Sequence, residues 1–135
     1  MNSASDPLGH AIAPVLVIED EPSVLAFISS ALERNGYRVV QATTGTEGLR
    51  LLREQEFSGI ISDMRTPGGI NGADVHAWIM ANRPEMVSRL LFTTGDTASE
   101  ETAAILVKTG APCLEKPFRV HQLVAAVERI VGRKQ

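Results

Sequence analysis

The feature that most constrains the fold is an uninterrupted apolar run near the N-terminus, Val15–Ile18, which is followed at once by acidic residues. A short run of β-branched and aliphatic residues without polar alternation predicts a strand that is buried on both faces. Pro22 then favours the first turn of a helix, and apolar residues from Val24 onward recur at helical spacing. A strand covered on both faces is typical of an α/β fold.

The same alternation of short apolar runs and helical periodicity continues along the chain. Thr44 with Glu47 has the spacing of a capping box, and so does Thr97 with Glu100. Five strands that alternate with five helices predict an α/β fold with a doubly wound five-stranded parallel sheet in three α/β/α layers. Strands are predicted over 15–18, 37–41, 59–62, 89–93 and 111–115, and helices over 22–34, 44–54, 72–81, 102–108 and 120–131.

Length and composition exclude several classes of protein. The 135 residues fit one domain with a single buried core. A net charge of -3, from 13 basic and 16 acidic residues, gives no electrostatic footprint for direct binding to nucleic acid or to an anionic membrane. The lone Cys113 excludes a disulfide framework within one chain. Residues 1–13 have no signal-peptide pattern, so we expect them to form a flexible leader and the protein to be cytoplasmic. We also expect a short tail at 133–135.

Chemically active side chains follow the predicted strands where each strand ends. In open α/β sheets the working crevice lies beyond the carboxyl ends of the strands. Clustered carboxylates repel one another unless a cation joins them, and an all-oxygen cluster favours Mg²⁺. A lysine and a hydroxyl beside such a cluster complete the parts needed for phosphoryl transfer to a carboxylate. The residues at these positions are Glu19 and Asp20 after the first strand, Asp63 after the third, Thr94 after the fourth and Lys116 after the fifth.

Four segments together resemble the motifs of response-regulator receiver domains of two-component signalling, and they occur in the family's order and spacing. They are residues 15–22, 61–64, 91–95 and 114–118. The resemblance implies a flavodoxin-like fold and a receiver domain over 14–132. It further implies that Asp63 is the phosphoacceptor, that Thr94 is the switch hydroxyl, and that Lys116 contacts the phosphoryl group. Pro117 is expected to follow a cis peptide bond, as is usual in the family.

The metal site is also given by the resemblance. Asp20 and Asp63 would bind Mg²⁺ directly, Glu19 would contribute through water, and the main-chain carbonyl of Arg65 would complete the protein ligands. The phosphoryl donor would be a histidine kinase or a histidine phosphotransfer protein. The domain would be regulatory, catalysing only its own phosphorylation and dephosphorylation while switching a surface that binds a downstream protein. A homodimer, a free-standing regulator and a domain excised from a hybrid kinase are all compatible with the sequence.

The sequence departs from the family pattern beside the lysine. Cys113 stands where the family usually has an aromatic switch residue, and a thiol is too small to fill the same volume as a ring that moves between buried and exposed positions.

Three alternative functions place different requirements on the sequence. A phosphorylation-independent pseudo-receiver would act as a scaffold and would not need the acidic set. A haloacid-dehalogenase-like phosphatase needs an aspartate two positions after the nucleophile, where this chain has Arg65. A cofactor-binding flavodoxin-like module requires a phosphate-binding loop after the first strand. In this chain Glu19 and Asp20 occupy that position and would repel a phosphate.

Overall fold

Strands and helices alternate in the computed structural model, which describes residues 12–65, 69–96 and 98–131. The strands are β1 (Val15–Ile18), β2 (Val39–Ala42), β3 (Gly59–Asp63), β4 (Leu90–Thr94) and β5 (Cys113–Glu115). The helices are α1 (Pro22–Arg34), α2 (Gly45–Glu54), α3 (Gly72–Asn82), α4 (Glu100–Thr109) and α5 (Val120–Val131), with a 3-10 helix at Pro84–Arg89. The predicted leader at 1–13 and tail at 133–135 lie almost wholly outside the described residues, so that division stays a prediction.

The strands form one parallel sheet in the order β2-β1-β3-β4-β5. β1 lies between β2 and β3, and Ile18 at its end is level with Ser62 of β3. The chain leaves β1 toward one edge of the sheet for β2 and later returns to the other side for β3. This reversal opens a crevice beyond the carboxyl ends of β1 and β3. The predicted doubly wound five-stranded α/β fold is confirmed.

Two hydrophobic clusters cover the two faces of the sheet. Successive strand residues point to opposite faces, so Ile60 and Phe92 join one cluster while Ile61 and Leu91 join the other. The first cluster is completed mainly by α2 and α3, and the second by α1 and α5. All four residues of Val15–Ile18 are fully buried. The apolar run that predicted a doubly covered strand therefore occupies the centre of the molecule.

Helix caps partly follow the predicted signals. Thr44 caps α2 by accepting a hydrogen bond from the Glu47 N–H at 3.0 Å. The Glu47 carboxylate accepts from the Thr43 N–H, one residue earlier than a capping box requires. The predicted start of α4 was wrong: the helix begins at Glu100, because the Ser99 hydroxyl accepts from a first-turn amide. Thr97, the predicted cap, lies outside the described residues.

Other boundaries differ because tertiary pairing decides where a strand begins. β2 begins at Val39 and β5 at Cys113, each two residues later than predicted, since only those residues pair with β1 and β4. β4 runs one residue further than predicted, through Thr94. Pro84 opens a 3-10 helix between α3 and β4, and proline suits a first helical turn. Within the described ranges, none of the helices is long and apolar enough to cross a membrane.

Candidate functional site

Three carboxylates converge at the crevice because β1 and β3 end at the same level. Asp63 is the last residue of β3, and Glu19 directly follows β1. One carboxylate oxygen from each of Glu19, Asp20 and Asp63 lies within 4.8 Å of the others. Glu19 and Asp63 are buried, whereas Asp20 is exposed at the rim. The structure thus brings together the three predicted acidic side chains.

Glu19 is the most deeply buried of the three, with only 1% of the residue exposed. Its Oε2 accepts a hydrogen bond from the Glu21 N–H at 3.1 Å, which fixes the turn after β1. Its Oε1 lies 3.1 Å from Nζ of Lys116. Oε1 nevertheless accepts no well-aligned hydrogen bond among the described residues. This oxygen is therefore ion-paired with Lys116 and keeps a lone pair for a further ligand.

Lys116 approaches the carboxylates from the end of β5. Its backbone N–H donates to the Thr94 carbonyl at 2.7 Å, and its peptide bond to Pro117 is cis, as predicted. Its Nζ lies 3.4 Å from Oδ2 of Asp63 as well as near Glu19. Burial works to lower the pKa of Lys116, but the carboxylates of Asp63 and Glu19 raise it above its ordinary value. The lysine therefore remains a fixed positive charge between two carboxylates.

Asp63 has an unusual proton affinity for an aspartate. Burial and the neighbouring charge of Glu19 raise its pKa from 3.8 to about 6. The Lys116 ammonium and a hydrogen bond from the Arg65 backbone N–H act in the opposite direction but do not offset the rise. The ionised form of Asp63 is thus destabilised by the nearby carboxylate of Glu19. A bound cation would relieve this repulsion.

Thr94 ends β4, which lies between β3, where Asp63 is the last residue, and β5, which Lys116 directly follows. Only 3% of Thr94 is exposed. Its hydroxyl oxygen accepts a hydrogen bond from the Asp96 N–H at 3.1 Å. The position predicted for the switch hydroxyl therefore holds a buried donor whose orientation is set by the following turn.

The donor set fits a small hard cation. Carboxylate oxygens without histidine or cysteine in the cluster suit Mg²⁺, and the raised pKa of Asp63 indicates negative charge that the Lys116 ammonium does not offset. Asp20 lies at the open rim, where a metal could keep bound water. The predicted contribution of the Arg65 carbonyl stays a prediction.

Cys113 opens β5 and is only half buried. It packs beside the cluster that includes Phe92, together with Ile105 and Leu106 of α4. Burial and the nearby charge of Glu115 raise the pKa of its thiol to about 11, so the thiol remains protonated at neutral pH. The position at which the resemblance implies an aromatic ring therefore holds a small neutral side chain.

Two features near the crevice were not predicted from the sequence. The guanidinium of Arg65 reaches Glu101, 36 residues along the chain, at 3.4 Å. An apolar groove of about 480 Å³ begins beside Lys116 and is lined in part by Val24, Phe27 and Phe118. Both features join elements that are distant in sequence, so no local pattern indicates either of them.

The fold and the acidic crevice define a signalling receiver domain. The family model of the response regulator receiver domain matches residues 15–128, and the chain belongs to this family. It is similar to the transcriptional regulatory protein GlrR of Escherichia coli, with 33% identity over 88 residues, 65% of this chain. That match spans only 20% of the length of GlrR.

Solved structures have the same fold. A response regulator receiver domain protein from Clostridium thermocellum is 32% identical, with a TM-score of 0.78, and the match covers 89% of this chain and 94% of that one. The receiver domain of the sensor histidine kinase PA1611 from Pseudomonas aeruginosa is 24% identical, with a TM-score of 0.80 and coverage of 91% and 100%. The latter holds a magnesium ion coordinated in its active site cleft.

Proposed function

We propose that this receiver domain accepts a phosphoryl group on Asp63, with Mg²⁺ held by the acidic cluster, from a histidine kinase or a histidine phosphotransfer protein. The observation that carries the proposal is the position of Lys116, whose Nζ lies within 3.4 Å of oxygens from both Glu19 and Asp63. A buried acceptor carboxylate, a fixed cation and two further acidic groups are the parts that phosphoryl transfer to a carboxylate requires. Membership of the family supports the same role.

The residues divide the chemistry between them. An ionised oxygen of Asp63 forms a bond to phosphorus while the bond from phosphorus to the donor nitrogen breaks. Lys116 balances negative charge on the transferred group, and the Thr94 hydroxyl donates a hydrogen bond to one of its oxygens. Asp20, Asp63 and the Arg65 carbonyl would hold the metal directly, and Glu19 would contribute through a bound water. Bound Mg²⁺ supplies positive charge that screens the approaching phosphoryl oxygens from these carboxylates.

The groove beside Lys116 supports a protein as the phosphoryl donor. Phe27 is 38% exposed, and its ring lies 5.9 Å from that of Phe118. These two rings also line a second depression, of about 760 Å³, which continues along α5 past Val120. An exposed aromatic surface that borders the acceptor gives a docking area for a helix that carries a phosphohistidine. A small-molecule donor would have no use for this surface.

The response to phosphorylation would pass through the ends of β4 and β5. Phosphorylation adds roughly -1.5 to -2 charge and three acceptor oxygens at Asp63. Thr94 and Lys116 are joined by a backbone hydrogen bond of 2.7 Å, so a displacement of one residue shifts the other. The surface formed by α4, β5 and α5 would then change shape and alter its binding to a downstream protein. With Cys113 in the aromatic position, this change would proceed without a ring moving from outside to inside.

Incorporation of phosphate from acetyl phosphate in the presence of Mg²⁺ tests the proposal. The wild-type chain should incorporate close to one phosphate per molecule, and Asp63→Asn should incorporate none. Asp74→Asn is the matched control, because it removes an exposed aspartate from α3 and should label like wild type. Stoichiometric labelling of Asp63→Asn would show that the acceptor is another residue.

The pseudo-receiver alternative predicts a different pair of results. A scaffold that works without phosphorylation should neither label with acetyl phosphate nor bind Mg²⁺ in a way that depends on the acidic cluster. Titration calorimetry with Mg²⁺, on wild type and on Asp20→Asn, separates the two functions. Binding that is lost in Asp20→Asn supports the receiver function, whereas absence of binding in both chains favours the scaffold.

The expected cytoplasmic location stays a prediction.

A further inference from the structure

A contact across the mouth of the crevice joins two segments that the proposed chemistry leaves unused. The guanidinium of Arg65 lies 3.4 Å from Oε1 of Glu101 and 3.5 Å from Oγ of Ser99. Arg65 belongs to the loop after β3, whereas Ser99 caps α4 and Glu101 lies in its first turn. This ion pair therefore ties the segment beside the acceptor to the N-terminus of α4.

The loop end of the tie is attached to the acceptor itself. The backbone N–H of Arg65 donates a hydrogen bond to the Asp63 carboxylate, so the arginine side chain begins next to the proposed phosphoryl position. The side chains of Arg65 and Glu101 are 62% and 68% exposed. An ion pair this open to water is weak and readily exchanged for a stronger partner.

A phosphoryl group is such a partner for an arginine. It carries more negative charge than one carboxylate and offers three oxygens, two of which a guanidinium can bind at once. We propose that Glu101 is a positioning residue that shortens the lifetime of the phosphorylated state, because it holds the Arg65 guanidinium on α4 and away from the phosphoryl group. This inference rests on the proposed function, since it requires a phosphoryl group on Asp63.

The lifetime is set by hydrolysis of the aspartyl phosphate. The oxygen of one water forms a bond to phosphorus while the bond from phosphorus to the Asp63 oxygen breaks. An acyl phosphate dianion and one water thus become a carboxylate and a dihydrogen phosphate anion. The water must approach roughly in line with the bond that breaks. A guanidinium bound to the phosphoryl oxygens crowds that approach, so releasing Arg65 from Glu101 slows hydrolysis.

The half-life of the phosphorylated chain tests this role. The protein is labelled with acetyl phosphate and Mg²⁺, freed of acetyl phosphate, and followed for loss of phosphate. Glu101→Gln should lengthen the half-life by about two- to fivefold, the range open to a surface ion pair. Glu101→Asp keeps the charge and should restore a half-life close to that of wild type. Glu100→Gln removes a neighbouring charge from the same helical turn and should leave the half-life unchanged.

A second pair of variants separates positioning from a purely structural effect on α4. In an Arg65→Gln background, the further change Glu101→Gln should have no effect, because Glu101 acts only through the arginine. The inference is overturned if the half-life of Glu101→Gln equals that of wild type, or if its effect persists without Arg65. A wild-type chain that takes up no phosphate would instead remove the proposed function, and this inference with it. The two failures are therefore distinguishable.

Discussion

The ammonium group of Lys116 lies 3.1 Å from Oε1 of Glu19, a carboxylate that is almost completely buried. The same ammonium lies 3.4 Å from Asp63, so one cation faces two carboxylates. The cluster as a whole therefore retains excess negative charge in a partly dehydrated crevice, which is unfavourable for folding but suited to a divalent cation. At these residues, the negative charge that suits metal binding also lowers the stability of the fold.

The first prediction follows from the raised pKa of Asp63. The folded value of about 6 lies above 3.8, so the folded chain binds more protons than the unfolded chain between those values. Stability should accordingly fall as pH rises through that window and remain lower above it. Asp63→Asn should raise the free energy of unfolding by roughly 2 kcal/mol at pH 7.5 without Mg²⁺.

Urea denaturation from pH 4 to 8 measures this effect. Glu33→Gln, which removes an exposed carboxylate near the end of α1, serves as the control for a lost surface charge. A variant Asp63→Asn that is less stable than wild type at pH 7.5 would show that the Lys116 contact outweighs burial and the repulsion from Glu19.

The second prediction concerns the loss of the cation. Lys116→Met leaves Glu19 and Asp63 together without their counter-charge, and should lower the free energy of unfolding by about 2 kcal/mol in Mg²⁺-free buffer. Added Mg²⁺ should recover much of the loss, because the metal replaces the missing positive charge. Lys108→Met, at an exposed lysine of α4, should be close to wild type. Equal losses in both lysine variants, measured by urea denaturation, would contradict the assignment.

The third prediction concerns packing beneath the acidic turn. A Cβ added at Gly48 of α2 would lie 2.8 Å from Cγ1 of Ile18, whose side chain is fully buried. Gly48→Ala should therefore lower the free energy of unfolding by about 1–3 kcal/mol. At Gly95 a Cβ would meet nothing within 4 Å, so Gly95→Ala should change stability little. Thermal unfolding of the two variants checks the difference, and a neutral Gly48→Ala would mean that α2 moves freely away from β1.

The fourth prediction separates docking from chemistry. Phe27→Ala removes an exposed ring from the groove beside Lys116 and should reduce phosphotransfer from the cognate kinase by about tenfold or more. Labelling by acetyl phosphate, which needs no docking surface, should remain near the wild-type rate. Met80→Ala is the control, because it removes an exposed apolar side chain from α3 on the other face of the sheet. If acetyl phosphate labelling also fails in Phe27→Ala, the ring supports the site itself rather than a partner.

Local sequence patterns predicted the order of the strands and helices and the acidic cluster, because both depend on residues that are close together in sequence. The run Val15–Ile18 indicated a central strand, and strand ends indicated where Asp63 and Lys116 should meet. The start of α4 was missed because Thr97 was taken as the cap, whereas the hydroxyl of Ser99 accepts a hydrogen bond from a first-turn amide. The start of β2 was missed because β propensity extends further than the pairing with β1.

Long-range contacts were beyond the reach of such patterns. Arg83 is an example, since its side chain is only 20% exposed although arginine is usually a surface residue. Its guanidinium binds the Leu52 carbonyl as well as Glu56 and Glu85, which lie on both sides of it in sequence. The pairing of Arg65 with Glu101 is of the same kind. The contacts of Arg83 with Leu52 and Glu56 carry no local signal, and neither does that of Arg65 with Glu101, since they exist only once helices and loops are brought together.

Strand register has a consequence for how this domain can change over evolution. Ile18 is level with Ser62, and the next residue in each segment is acidic: Glu19 follows β1, and Asp63 ends β3. Inserting or deleting one residue within β1 would shift its end by about 3.3 Å and exchange its two faces. Substitutions around the crevice can be compensated one side chain at a time, but a change in strand length cannot. Descendants of this chain should vary in the lengths of their loops while keeping the count of residues in β1 and β3 constant.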